Sequence, residues 1–224
     1  ITKLVSRYKG KVHEWVVVNE PFEFSDKADA PAVYRDNVFA RRLGAVDYMA
    51  EAFKIAHAAD PQAVLILNDE DGAGLPKRAE AVYELTRELL KRGAPVHAVG
   101  MQMHWVNFFP KPAADIEKIV ARLAGLGVKV KFTELDVMVS HLEPEKREAE
   151  QARLYARLMD ACLGAPACDE VVFWGFTDKH NWWVDEMGYK DEQPLLFNAA
   201  YERKPSYFAV LRAIEKRNPP RRQP

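Results

Sequence analysis

Five short runs rich in branched and aromatic residues recur along the chain: WVVVNE at 15–20, AVLILND at 63–69, VHAVGMQMH at 96–104, VKVKFTELDV at 128–137 and EVVFWGFTD at 170–178. Longer segments with apolar residues at helical spacing lie between them. In PAADIEKIVARLAGLG (112–127), Ile116, Ile119, Val120 and Leu123 share one face, with Pro112 near the start and Gly125 and Gly127 past the end. The same reading predicts helices over 39–58, 76–92, 144–163 and 205–217. The strand runs are nearly continuous in apolar residues, as required when both faces of a sheet are covered. Their alternation with helices implies parallel pairing through right-handed crossovers. The expected fold class is α/β.

Composition narrows the partners. The 224 residues, 48% hydrophobic and 29% charged, suffice for one globular domain spanning 1–224. With 32 basic against 33 acidic residues, and no long run of one sign before the PPRRQP tail, there is no electrostatic footprint for nucleic acid or an anionic membrane. No apolar run approaches the roughly 18 to 20 residues of a membrane-spanning helix. The opening ITKLVSRYKGKVHEW lacks the apolar core of a signal peptide and reads as the end of a helix already under way. Processing, or a start inside a larger architecture, is therefore expected. Cys162 and Cys168 flank a turn containing Gly164 and Pro166. They could close a small disulfide, which implies an oxidising compartment, or stand as unrelated thiols. No further Cys or His pair lies nearby at ligand spacing, so no metal site is expected.

The polar residues of the strand runs are concentrated at their C-terminal ends: Asn19 and Glu20, then Asn68, Asp69 and Glu70, then Gln102 and His104, then Glu134 and Asp136, then the stretch 174–178. Parallel strands place all these ends on one rim, where they converge on a single cavity. Taken alone, Glu20 reads equally well as a helix cap or a solvated loop residue, and His104 as a structural histidine. Together, Glu20 and Glu134 on separate strands form a pair suited to glycoside hydrolysis, one carboxyl protonated as acid and the other ionised. Residues two apart share a strand face, so Glu134 goes with Asp136 and Gln102 with His104. A network from His104 to the carboxylates follows. Trp105, Trp174, Trp182 and Trp183 add flat faces suited to sugar rings.

In order and spacing, WVVVNE, QMHW, FTELDV, WGFTDKHNWW and PLLFNAAYERKPSYFAVL resemble the last five strands and final helix of glycoside hydrolase family 10, the retaining endo-β-1,4-xylanases. The resemblance implies a TIM (β/α)8-barrel type fold, here incomplete with about five parallel strands, and xylan or xylo-oligosaccharides as substrate, with no cofactor. It makes Glu20 the acid/base and Glu134 the nucleophile. It casts Asn19 as the residue bonding the sugar 2-hydroxyl, His104 and Asp136 as the network around the nucleophile, and Gln102 as a neighbour of the acid/base. Asn68 joins the substrate-binding residues. Trp174 and Trp182 resemble the pair lining the subsite of the reacting xylose. The Cys162 and Cys168 pair resembles a bridge found in part of the family, and that favours secretion, extracellular or periplasmic.

Two departures from the family pattern stand out. Where the family has Asn-Asp-Tyr-Asn, this chain has Asn68, Asp69, Glu70 and Asp71. The family's first three strands have no counterpart. A five-unit array leaves two open edges, which a second copy, extra segments or a further N-terminal piece would cover. Beside an active xylanase, two alternatives therefore stay open: a weak or inactive barrel that binds xylan, and an associating fragment.

Overall fold

The computed structural model describes residues 1–25, 30–70, 76–105 and 113–217. The readings made at Asp71, at Pro112 and at the tail 219–224 lie outside these residues. After a short helix α1 (Thr2–Arg7), the strands are β1 (Glu14–Asn19), β2 (Val64–Asp69), β3 (Ala98–Trp105), β4 (Lys129–Val137) and β5 (Cys168–Phe173). Between and after them run α2 (Val38–Leu43), α3 (Ala45–Ala59), α4 (Pro76–Lys91), α5 (Ala113–Ala124), α6 (Pro144–Leu163), α7 (Trp182–Asp185) and α8 (Pro205–Arg217). The strands form one sheet in sequence order, and every neighbouring pair is parallel. Among the described residues β1 and β5 remain edges, so the sheet curves as part of a barrel without closing.

Side chains alternate across each strand, and the core follows from that alternation. Leu65, Leu67, Val99, Met101, Val130 and Phe132 are buried with helix residues such as Phe53, Leu85, Leu89 and Tyr155. At the edges the inner face lacks cover, and Val16 and Val172 stay exposed. Inside the curve, Lys131 of β4 is buried, and its Nζ lies 2.9 Å from Glu14 Oε1, 3.1 Å from Asp169 Oδ1 and 3.1 Å from Glu170 Oε2. This ammonium therefore joins β4 to both edge strands. Burial works against its charge, but the three carboxylates prevail and hold its pKa above the ordinary lysine value.

The segment 39–58 is two helices, α2 and α3, not one. Gly44 breaks it with φ of +90°, a conformation that L side chains rarely adopt, while Asn37 caps α2 by accepting from the amides of Phe39 and Ala40. The fifth strand ends at Phe173, so Trp174 to Asp178 lie in the loop that follows. A buried ion pair organises that loop. Lys204 Nζ lies 2.8 Å from Asp178 Oδ2, and Asp178 also accepts from the Leu195 amide. Cys162 at the end of α6 is bonded to Cys168 at the start of β5.

Candidate active site

Among the described residues, four non-glycine residues have positive φ, and two of them are Glu20 (+47°) and Glu134 (+62°). A left-handed backbone costs an L-residue about 1 kcal/mol and persists only where its surroundings enforce it. Glu134 sits where the register of β4 is irregular against both neighbours, between Phe132 and Leu135 on the β5 side and between Thr133 and Asp136 on the β3 side. At Glu20 the strand pairing ends, the last bond running from the Glu20 amide to the Asn68 carbonyl at 2.9 Å. Each carboxylate thereby leaves its strand at the same rim.

Asn68 stands between them. Its Nδ2 donates to Glu134 Oε1 and to Asn19 Oδ1, each at 2.8 Å, and its Oδ1 accepts from Thr133 Oγ1 at 2.6 Å. Room for this amide depends on Gly100, where a Cβ would lie 2.2 Å from Asn68 Oδ1. Gln102 Nε2 donates to Glu20 Oε1 at 3.2 Å and to Asn19 Oδ1 at 3.3 Å. Glu20 Oε2 accepts from Arg35 Nη2 at 2.6 Å.

His104 bridges the carboxylates of β4, with Nε2 3.2 Å from Glu134 Oε2 and Nδ1 3.0 Å from Asp136 Oδ1. Asp136 Oδ2 also accepts from the indoles of Trp182 at 2.7 Å and Trp183 at 2.9 Å. The two indole N–H groups leave Asp136 Oδ2 an acceptor, and a proton shared between Asp136 Oδ1 and His104 Nδ1 completes the network. Burial works against a charged His104, but its hydrogen bonds to Asp136 and Glu134 push its pKa up to about 9. That shift favours the protonated ring, the form that donates from both nitrogens. Burial pushes Asp136 up, against the hydrogen bonds of His104 and the two indoles.

The aromatic residues divide. Trp182 lies 4.7 Å from the His104 ring, and Trp174, 45% exposed, meets that ring edge-on at 6.2 Å. Trp105 is buried in the apolar core, contrary to its reading as a cleft residue, and Trp183, also buried, backs the site through its bond to Asp136. The pair Trp182 and Trp183 comes from α7, whose start is capped by the Asn181 side chain. Glu70, just past β2, is partly buried. Burial raises its pKa, the Arg78 cation lowers it, and the charges of Glu20 and Asp69 raise it further. Arg35, Arg78 and Thr133 escaped the sequence reading; Thr133 alone had a signal, as the residue preceding Glu134 in a polar strand end. No group of three or more His, Cys, Asp or Glu side chains among the described residues is arranged to hold a metal ion.

The model of glycosyl hydrolase family 10 matches residues 1–213. The chain belongs to glycosyl hydrolase family 10. Relatives in that family include endo-1,4-beta-xylanase B of Paenibacillus barcinonensis, 34% identical over 94% of this chain, and endo-1,4-beta-xylanase B of Thermotoga neapolitana, 31% identical over 97%. The chain spans 65% and 60% of the length of these two relatives. Among solved family 10 structures, xylanase 10B of Thermotoga maritima superposes with a TM-score of 0.84 at 34% identity, covering 96% of this chain and 64% of that one. Xylanase 10B of Thermotoga petrophila RKU-1 in complex with xylobiose gives 0.83 at 33% identity, covering 96% and 63%. The five-stranded sheet is accordingly an incomplete version of the family 10 barrel.

Proposed function

We propose that this family 10 chain carries the catalytic groups of a retaining endo-1,4-β-xylanase. The observation that carries the reading is the convergence of Glu20 and Glu134, each on a left-handed backbone, upon one lattice of amides made by Asn19, Asn68 and Gln102. In the first step Glu134 attacks the anomeric carbon while Glu20 transfers its proton to the departing oxygen, and the bond between that carbon and oxygen breaks. In the second step Glu20, now a carboxylate, takes a proton from water, which displaces Glu134 and regenerates the acid with configuration retained. His104 and Asn68 hold the attacking carboxylate in line, and Asp136 keeps the imidazolium in place. Asn19 is placed to bond a sugar hydroxyl, and Trp174 and Trp182 to face the reacting ring. The substrate class is xylan or xylo-oligosaccharides, the former from the names of the relatives and the latter from the xylobiose bound to a structural neighbour. This scheme uses no cofactor. The bonded cysteines favour an oxidising compartment and hence secretion.

A second reading rests on the open edges of the sheet, with Val16 and Val172 exposed along them. Here the chain binds xylan weakly or turns it over slowly until those edges are covered, and a second copy is the cover we favour. Reducing-sugar release from soluble xylan by the 224-residue chain, with Glu20→Gln and Glu134→Ala as controls, tests the first reading. Release abolished by both changes supports it. A folded chain that binds xylan in an affinity gel without releasing sugar supports the second, and a monomeric mass by light scattering removes the second copy from it.

A further inference from the structure

Arg35 and Gln102 hold the Glu20 carboxylate directly, and the course of its left-handed backbone depends also on what holds the chain after it. That chain, Pro21 to Phe24, lies beyond β1: the Pro21 carbonyl accepts from the Arg35 amide at 2.8 Å, the Phe22 carbonyl from Arg35 Nε at 3.1 Å, and the Phe22 and Glu23 carbonyls both accept from a guanidinium of another element. Arg78, in the first turn of α4 and buried, donates from Nη1 to the Glu23 carbonyl at 2.5 Å and from Nη2 to the Phe22 carbonyl at 3.2 Å. The same guanidinium grips Asp69 from two nitrogens, Nε to Oδ2 at 3.1 Å and Nη2 to Oδ1 at 2.7 Å. Asp69 is fully buried at the end of β2, next to Asn68. Arg78 Cζ also lies 5.3 Å from the centre of the Phe22 ring, which stacks on Tyr34 at 4.9 Å. Rigid strand β2 is thus connected through one side chain to the two residues that follow Glu20 and its proline.

We infer that Arg78 is a positioning residue for the acid/base Glu20, acting through the Phe22 and Glu23 carbonyls. Arg78 makes no hydrogen bond to Glu20. The job needs a planar fork with several donors in fixed directions, which an ammonium cannot supply. The inference rests on the role given to Glu20 above and adds a residue to the machinery that aims it.

The distinguishing property of an acid is that its worth depends on the leaving group. Arg78→Lys keeps a positive charge beside Asp69 but cannot reach Asp69, Phe22 and Glu23 together. For an unactivated xylo-oligosaccharide, kcat/KM should fall about 100-fold. For a dinitrophenyl xylobioside, whose leaving group departs unprotonated, kcat/KM should change by no more than about threefold, while kcat and KM fall together because water activation slows. Azide, which attacks without a base, should restore kcat. Equal losses of kcat/KM on both substrates would overturn the inference, since a general loosening of the site spares neither. If the unaltered chain hydrolyses neither substrate, it is the catalytic reading that fails, and amide exchange decides the brace separately. The Glu23 amide, bonded to the Val33 carbonyl at 2.7 Å, should exchange at least about tenfold faster in Arg78→Lys than in the parent. Unchanged exchange there rejects the brace whatever the activity. Should Arg78→Lys not fold, Asp69→Asn with Arg78→Gln removes both buried charges at once and carries the same readouts.

Discussion

His104 Nδ1 lies 3.0 Å from Asp136 Oδ1, a hydrogen-bond distance at the centre of the site. A histidine raised from its ordinary 6.5 to about 9 binds its proton more tightly folded than unfolded. Its contribution to stability is therefore complete below about pH 6.5 and is lost as pH rises through about 9, amounting to no more than about 3 kcal/mol. Melting curves from pH 6 to 10 should show a decline in the parent that is shallower in His104→Asn. Parallel declines would mean that His104 is neutral in the folded chain.

Asp136 has the harder substitution. Asp136→Asn presents an amide to three N–H donors, leaves the imidazolium without its main partner, and should destabilise the fold by about 3 kcal/mol. Urea unfolding checks this, and a loss under 1 kcal/mol would show that His104 had simply given up its proton.

The strain at Glu20 can be isolated by comparing two truncations. Glu20→Gly and Glu20→Ala remove the same carboxylate, but only alanine keeps a Cβ at φ of +47°. The glycine variant should be the more stable by about 1 kcal/mol, both being inactive on xylan. Equal unfolding midpoints would mean that the backbone relaxes once the carboxylate is gone.

Gly100→Ala tests the room made for Asn68. A Cβ 2.2 Å from Asn68 Oδ1 must push the amide away from Glu134 and Asn19. The expected stability cost is about 2 kcal/mol, with a fall in xylan hydrolysis of about 100-fold while the variant remains folded. Unimpaired hydrolysis would show that Asn68 has a second workable position.

The bond between Cys162 and Cys168 closes a loop with a sequence separation of 6. A loop so short removes little freedom from the unfolded chain, so Cys162→Ser with Cys168→Ser should cost about 2 kcal/mol by the chain-entropy estimate. Reductant should lower the melting temperature of the parent to that of the double variant and leave the double variant unmoved.

Much of the frame was legible because its signals are local. Pro144 and Gly164 bracket α6, and Pro205 opens α8, each where the sequence places it. Gly44 was equally visible, yet the periodicity running through it suggested one helix where its backbone makes two. The site was legible only in part. Strand ends announce Glu20, Glu134, Asn68 and Gln102, because parallel strands bring their ends together whatever the loops do. Arg35 and Arg78 carry no such signal. They reach the neighbourhood of Glu20 from a loop and from a helix start, and only packing shows it. Asp136 accepts from indoles 46 and 47 residues away, and Trp105, placed among the cleft aromatics by its position, is drawn into the core by the apolar contacts around it.

Lys131 lends the open sheet something an arch borrows from a tie rod. Glu14 and Glu20 belong to the same end-to-end stretch of chain at β1, as Lys131 and Glu134 do at β4, and the ammonium spans the hollow between them at the foot of the strands. A sheet whose edges stay open is thus drawn together across its hollow by one buried cation, at the end of the strands opposite to Glu20 and Glu134.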